Sequence, residues 1–441
     1  MIIVIGGGPA GRLGAMHLAQ AGREVRLVEQ RKIGGQCLHD RCMTICALND
    51  VARLIEQTRT QKDLGILDCV PTISYPMIWR RMREVQERLS SVLDAETREA
   101  GVEIVYGAES RLEGGRVFID DEEVRAEAVL AATGSRAAIP DIPGTDLPGV
   151  YTYQTLPAMS DLPRRMAVIG GGVVAAEFAY IFNAFGVEVE VIARHGLLKD
   201  LDPRMRSAAL RDLAGVGIRE QTTVASIEGG GRVRSVILAN GEEAEAGAVL
   251  LATGLVPRSE SLQGLLKRPD GAVIVDQRMQ TSVENVYAAG DVIGPPYLTP
   301  AARREGVVAA ENILGHEAVM DYRCIPQAIS LRYDLAFAST DGDDGALTLS
   351  APAPSGSGSF WDAATGWTGL ARIQVDPESG RLVGAAAAVP GASSLFSYLA
   401  YLMKQGITVA DFADIIEVHP STDGIYWLAR YAGDILQQKK R

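Results

Sequence analysis

A motif that occurs twice constrains this chain more than any other feature. An apolar run, Ile2–Ile5, enters Gly6-Gly7-Gly8-Pro9-Ala10-Gly11, a helical pattern follows over residues 13–20, and a second apolar run over 24–28 ends in Glu29. Glycines in that order permit a tight turn, close approach of backbone N–H groups to a pyrophosphate, and close packing of helix on strand, while the acid is placed to accept from ribose hydroxyls. Gly6, Gly8, Gly11 and Glu29 are therefore read as dinucleotide-binding residues. The pattern returns as a strand over 166–169, the turn Gly170-Gly171-Gly172-Val173-Val174-Ala175, a helix over 176–185 and a strand over 187–192. Gly170 and Gly172 take the corresponding roles. Two such units in one chain imply an α/β protein with two Rossmann-like dinucleotide-binding domains.

The second unit differs where nucleotide choice is made. Its strand leads into Ala193-Arg194-His195, with Lys199 close behind, where the first ends in an acid. An acid favours an unphosphorylated ribose, whereas an arginine suits a 2′-phosphate. Arg194 thus favours NADP(H) over NAD(H), against the plain alternative of a solvated arginine after a strand.

With 441 residues, 47% of them hydrophobic, the chain is too long for one core. Acidic residues outnumber basic ones by 55 to 43 for a net charge of -12, which argues against a nucleic-acid partner. Apolar runs such as AVLLATG are broken by glycine and fall short of the roughly twenty residues a bilayer span needs, so no membrane segment is expected. The start MIIVIGGG has no basic flank and reads as a buried strand rather than a signal peptide, placing the protein in the cytoplasm.

The stretch GGQCLHDRCMTICAL holds Cys37, Cys42 and Cys46, three of the chain's five cysteines. It admits three readings: a metal clip, a structural staple or buried filler, and a redox centre. Zinc sites usually add a second ligand pair, and Cys69 and Cys324 are isolated, so no metal is expected.

Two dinucleotide units, a CxxxxC after the first and a late His-Pro resemble the pyridine nucleotide-disulfide oxidoreductases, the family of dihydrolipoamide dehydrogenase, glutathione reductase and mercuric reductase, over nearly the whole chain. Ala131-Ala132-Thr133-Gly134-Ser135 is similar to the strand-to-strand return of the family's FAD domain, and Ala252-Thr253-Gly254 to its counterpart after the nucleotide domain. Ala289-Gly290-Asp291 resembles the segment whose Asp holds the flavin's ribityl chain, and Leu298-Thr299-Pro300 the helix start beneath the isoalloxazine. The resemblance implies FAD in the first unit, with Gly35, Thr133, Gly134, Gly290 and Asp291 among its contacts, and the nicotinamide nucleotide in the second, with Glu177 and Gly254. It implies an FAD-binding and central domain over 1–150 and 259–322, an NAD(P)-binding domain over 151–258, and an α+β interface domain over 323–441 that makes a homodimer. Within the last, residues 339–359 read as turns around a short strand at 346–349, followed by strands at 371–375 and 382–387 and a helix at 395–404.

By the same resemblance Cys42 touches the flavin as the charge-transfer thiol, Cys37 exchanges with substrate, and His419 reaches across the dimer as acid-base. A helix start beneath the pair lowers thiol pKa through its dipole and free N–H groups. The activity implied is FAD-dependent reduction of a small or lipoyl-type disulfide by NAD(P)H. Single-cysteine coenzyme A disulfide reductases are set aside by the pair, and the ending GDILQQKKR lacks the extra thiol pair of mercuric and the larger thioredoxin reductases.

Departures from the family keep an alternative open, a flavoprotein of the same fold with an atypical substrate or an electron-transfer subunit role. Met43-Thr44-Ile45-Cys46 replaces a segment with Pro and Lys, leaving Glu177 without its partner, which is expected to raise its pKa or to change how the flavin is reduced. Cys46, one helical turn from Cys42, is read as buried filler ahead of a third redox thiol. His39-Asp40-Arg41 replaces Asn, an apolar residue and Gly; Arg41 stabilises a thiolate and His39 exchanges protons, or both point to solvent. Finally, Gly424 stands where the family has the Glu that orients its His, with Asp423 one position off.

Overall fold

The computed structural model describes residues 1–340, 345–353, 359–419 and 423–439. A parallel sheet forms around the first glycine motif, in the order Val286–Ala288, Ala128–Ala131, Ile2–Ile5, Val25–Glu29, Val102–Tyr106. Ile2 pairs in register with Val25 on one side and Ala128 on the other, and all of Ile2–Ile5 is buried, as a parallel strand covered on both faces requires. Helix α1 spans Pro9–Gln20. It starts a turn earlier than the sequence pattern suggests because Pro9 sits in its first turn, where a fixed φ and a missing N–H cost nothing. Helices α2 (Gly35–His39), α3 (Cys42–Asp63) and α4 (Tyr75–Glu99) follow the second strand.

The second parallel sheet repeats the plan, in the order Gly217–Glu220, Glu188–Ala193, Arg165–Ile169, Ala248–Leu251, Val150–Thr152, with helices α5 (Val173–Ala184) and α6 (Pro203–Asp212). Helix α5 also starts earlier than expected, directly after Gly172. The long helix α3 ties the two units together. Its Ile45, Leu48 and Ala52 share one buried cluster with Phe178 and Phe182 of α5 and Tyr75 and Trp79 of α4. The segment that carries the cysteines is thereby fixed to both dinucleotide folds.

Helix α7 (Thr299–Ile313) returns to the first unit and crosses α1 backbone against backbone. A Cβ built on Gly14 would lie 2.9 Å from the Gly306 carbonyl oxygen, and one on Gly306 only 2.1 Å from that of Ala10. The C-terminal part is an antiparallel sheet, in the order Gln327–Ser330, Asp334–Ser339, Leu382–Ala388, Leu370–Val375, Leu347–Ala351. Helices α8 (Ala392–Lys404) and α9 (Asp423–Lys439) accompany it. The short strand expected at 346–349 is Leu347–Ala351, while parts of its flanking loops, 341–344 and 354–358, lie outside the described residues. Among the described residues no helix is long and apolar enough to cross a membrane.

The crossing makes a prediction. Gly306→Ala forces a methyl into the Ala10 carbonyl and is expected to cost about 1–3 kcal/mol, read as a lower midpoint in thermal unfolding. An unchanged midpoint would contradict the close approach.

Candidate active site

The first cavity opens at the carboxyl ends of the first sheet and is walled by Gly6, Gly8, Glu29, Gly35, Thr133, Gly134, Gly290 and Asp291, together with Cys37, Arg41, Cys42 and Thr299. Of the sequence-derived residues for this site, Gly11 is absent from the wall. A Cβ there would lie 2.0 Å from the Gly6 carbonyl oxygen, so it serves the packing of α1 on its own turn. Glu29 is fixed by two backbone donors, the N–H of Gly7 at 2.7 Å and of Arg31 at 2.7 Å. At Gly8 and Gly134 a Cβ would meet nothing within 4 Å. Their missing side chains leave room at a helix N-terminus, which suits a pyrophosphate and hence a dinucleotide such as FAD. Asp291 Oδ2 accepts from Ser135 Oγ at 2.7 Å and Gln36 Nε2 at 2.9 Å, and Tyr153 donates to Gln36 Oε1 at 2.7 Å. The adjacent Gly290 N–H donates to the buried Glu305 of α7 at 2.7 Å.

Both Cys37 and Cys42 are free thiols within hydrogen-bond reach of each other. Thr299, the first residue of α7, holds both: its hydroxyl donates to Cys37 Sγ at 3.2 Å and lies 3.6 Å from Cys42 Sγ. The Cys37 hydrogen bond, helped by Thr299 and the charge of Arg41, brings Cys42 down to about 6 despite burial. Cys37 moves the other way, pushed up by its bond to Cys42 and by burial, with Thr299 and Arg303 opposing. The pair therefore shares one proton, with the thiolate at Cys42 and the thiol at Cys37.

The residues between the cysteines do not simply face solvent. The Nε2 of His39 donates to the Ile33 carbonyl at 2.9 Å, and Asp40 is buried in an ion pair with Arg31 at 2.9 Å. Gln86 of α4 pins the segment through the Leu38 and His39 carbonyls at 2.9 and 3.1 Å. Arg41 enters the cavity, 3.9 Å from Asp291 Oδ2. Glu177 lines neither this cavity nor the second. It is a buried residue of α5, accepting from the Ser330 N–H at 2.9 Å, and burial pushes its carboxyl up to about 7 against that hydrogen bond and the opposing charge of Arg41. Cys46 is exposed rather than a buried filler. Partial burial of its side chain and the negative charges of Cys42 and Glu177 push its thiol up, the opposite of what a reactive thiol needs.

The second cavity is lined by Gly170, Gly171, Gly172, Arg194, His195, Lys199, Asp200 and Gly254. Here too a Cβ on Gly172 or Gly254 would meet nothing within 4 Å, which gives this cavity the same cradle as the first. Arg194 Nε donates to His195 Nε2 at 3.1 Å, and both side chains are exposed. His419 is exposed ahead of α9, while Pro420, Ser421 and Thr422 of its motif lie outside the described residues. Gly424 has no space for the absent acid: a Cβ would lie 2.7 Å from Ala371 Cβ and 3.3 Å from Ala353 Cβ. Sequence reasoning missed Thr299 as a thiol ligand, and the hydrogen bonds of Gln36, Ser135 and Tyr153. The Leu-Thr-Pro helix start was the one signal that pointed towards Thr299.

The profile of the pyridine nucleotide-disulphide oxidoreductases matches residues 1–306, and that of their dimerisation domain residues 359–429. A dihydrolipoyl dehydrogenase of Chlamydia muridarum is 30% identical, over 95% of this chain and 93% of its own. A mercuric reductase of Shigella flexneri is 30% identical over 94% of this chain and 77% of its own. The crystal structure of LpdA from Mycobacterium tuberculosis superposes with a TM-score of 0.86 at 25% identity, covering 98% of this chain and 99% of that one.

The charge balance at Cys42 is testable. The thiolate is the form that alkylates, so in a Cys37→Ser background the iodoacetamide rate should fall as pH drops through the Cys42 pKa. Arg41→Gln is expected to move that fall to higher pH by up to about one unit, and Arg41→Lys by less. Coincident profiles would show that Arg41 does not act on this sulfur.

Proposed function

The chain belongs to the pyridine nucleotide-disulphide oxidoreductase family and is an FAD-dependent enzyme; from that premise we propose that it passes electrons from NADPH, by way of Cys37 and Cys42, to a small or lipoyl-type disulfide. The observation that carries this reading is the dithiol itself: two sulfurs in the wall of one cavity, both within reach of a single threonine hydroxyl, with Cys42 the more acidic of the two. In this reading residues 1–150 and 259–322 hold FAD, 151–258 the nicotinamide nucleotide, and 323–441 the interface of a homodimer placed in the cytoplasm. Bound FAD supplies two-electron transfer between nicotinamide and disulfide, chemistry that side chains lack.

The chain's own residues do the rest. Glu29, set by the Gly7 and Arg31 N–H groups, retains lone pairs for ribose hydroxyls, and the glycines of both cradles admit pyrophosphate. Arg194, with His195 and Lys199, meets the 2′-phosphate that distinguishes NADPH. Gln36, Ser135 and Tyr153 hold Asp291 at the cavity wall. Cys37 attacks the substrate only after losing its proton, and the shared hydrogen bond to Cys42 makes that loss difficult. His419, supplied by the partner subunit, takes it and later returns it to the leaving sulfur.

Oxidation of NADPH and NADH against lipoamide, glutathione disulfide and simple dialkyl disulfides tests this. NADPH is the expected donor, and Arg194→Glu should raise its KM about tenfold or more while leaving NADH nearly unaffected. A flavin that is reduced while no disulfide turns over would overturn the proposal.

A further inference from the structure

We propose that Arg303 selects the substrate, taking an anionic group of the disulfide so that carboxylate- or phosphate-bearing disulfides reach Cys37 ahead of neutral ones. The inference rests on the reading of Cys37 as the exchanging thiol. Arg303 follows Thr299 by one turn of α7 and shares its face, the face whose hydroxyl holds Cys37 at 3.2 Å. Its side chain is exposed, and among the described residues it makes no hydrogen bond or ion pair.

Arg303 stands outside the cavity that holds both sulfurs, one turn along α7 from their shared threonine. Thr299 and Ala302 line the first cavity but Arg303 does not, and its charge acts on Cys37, whereas Cys42 answers to Arg41 and Asp291. Both sulfurs line the first cavity, but they answer to different charges: Cys37 to Arg303, which lies outside the wall, and Cys42 to Arg41 and Asp291, which lie in it. The chain as a whole carries a net charge of -12, which repels anions at long range, so a cation beside the exchanging sulfur is a local exception. A guanidinium is suited to it because its planar fork binds carboxylate and phosphate oxygens in pairs. In the exchange step the Cys37 sulfur bonds one substrate sulfur, the substrate S–S bond breaks, and the other sulfur leaves with the electron pair as a thiolate. Arg303 enters none of these bond changes. It fixes where the anionic end of the substrate lies, which makes it a positioning residue.

The test reads the reduced holoenzyme against two aromatic disulfides, the dianionic dithiobis(nitrobenzoate) and the neutral dithiodipyridine, by the release of their coloured thiols in stopped flow. Arg303→Gln should slow the dianion about two- to fivefold relative to the neutral probe, and Arg303→Lys should retain part of the preference. Taking the ratio cancels any change in the reactivity of Cys37 itself. Added salt should shrink the wild-type ratio, a reading that needs no variant. A ratio unchanged by both Arg303→Gln and salt overturns the proposal. Cys37→Ser that leaves both rates intact overturns it at its premise. Neither probe is a lipoyl compound, so a failure to turn over lipoamide would count against the substrate named above and not against this selection.

Discussion

The contact between α1 and α7 is the constraint on which the site depends. Glycines at 14 and 306 let two helices approach until backbone meets backbone. That closeness fixes the height of α7 against the first glycine turn, and α7 carries much of the active site. Its first residue holds both sulfurs, its Glu305 fixes the Gly290-Asp291 turn, and its Arg303 is exposed outside the cavity wall. A helix set off by one methyl would displace a thiol ligand, a cavity wall and a surface cation together, because a rigid element moves as one body.

Charge around the dithiol is arranged with few groups. Arg41 opens α3 and acts on Cys42 and Glu177, while Asp291 opposes it at Cys42. Among the described residues Glu177 has one hydrogen bond, from the Ser330 N–H, and the charge of Arg41 to set against burial, and it ends at about 7. A buried carboxyl raised in this way takes up a proton more readily than an exposed one, so its charge responds to changes nearby. Cys46, beside the same negative charges, stays a thiol, and its exposure brings it no nucleophilicity.

Both glycine turns, the strands around them and the cysteine pair were legible in the sequence because each is a local pattern whose spacing dictates its geometry. The starts of α1 and α5 were placed late because apolar periodicity begins only after the turn, while the backbone is already helical at Pro9 and Val173. The bond from Thr299 to the thiols was illegible for a different reason: Thr299 meets Cys37 only through the folding together of segments far apart in the chain. Arg41 was named as a thiolate partner from its neighbour alone. Its reach to Asp291 and Glu177, and the anchoring of His39 and Asp40, needed the fold. Cys46 was misread because its residue type suggests burial, whereas its place on α3 exposes it.

The crowding at Gly424 bears on which neighbouring sequences this enzyme can reach. A carboxylate side chain introduced there meets Ala371 before it can orient anything. Opening that space by trimming Ala371 leaves a hole in the sheet with nothing yet to fill it. The two changes are therefore epistatic, each harmful until the other is present. A lineage carrying Gly424 is held to a site without that acid, and an engineer wishing to supply one has to change both positions in a single step.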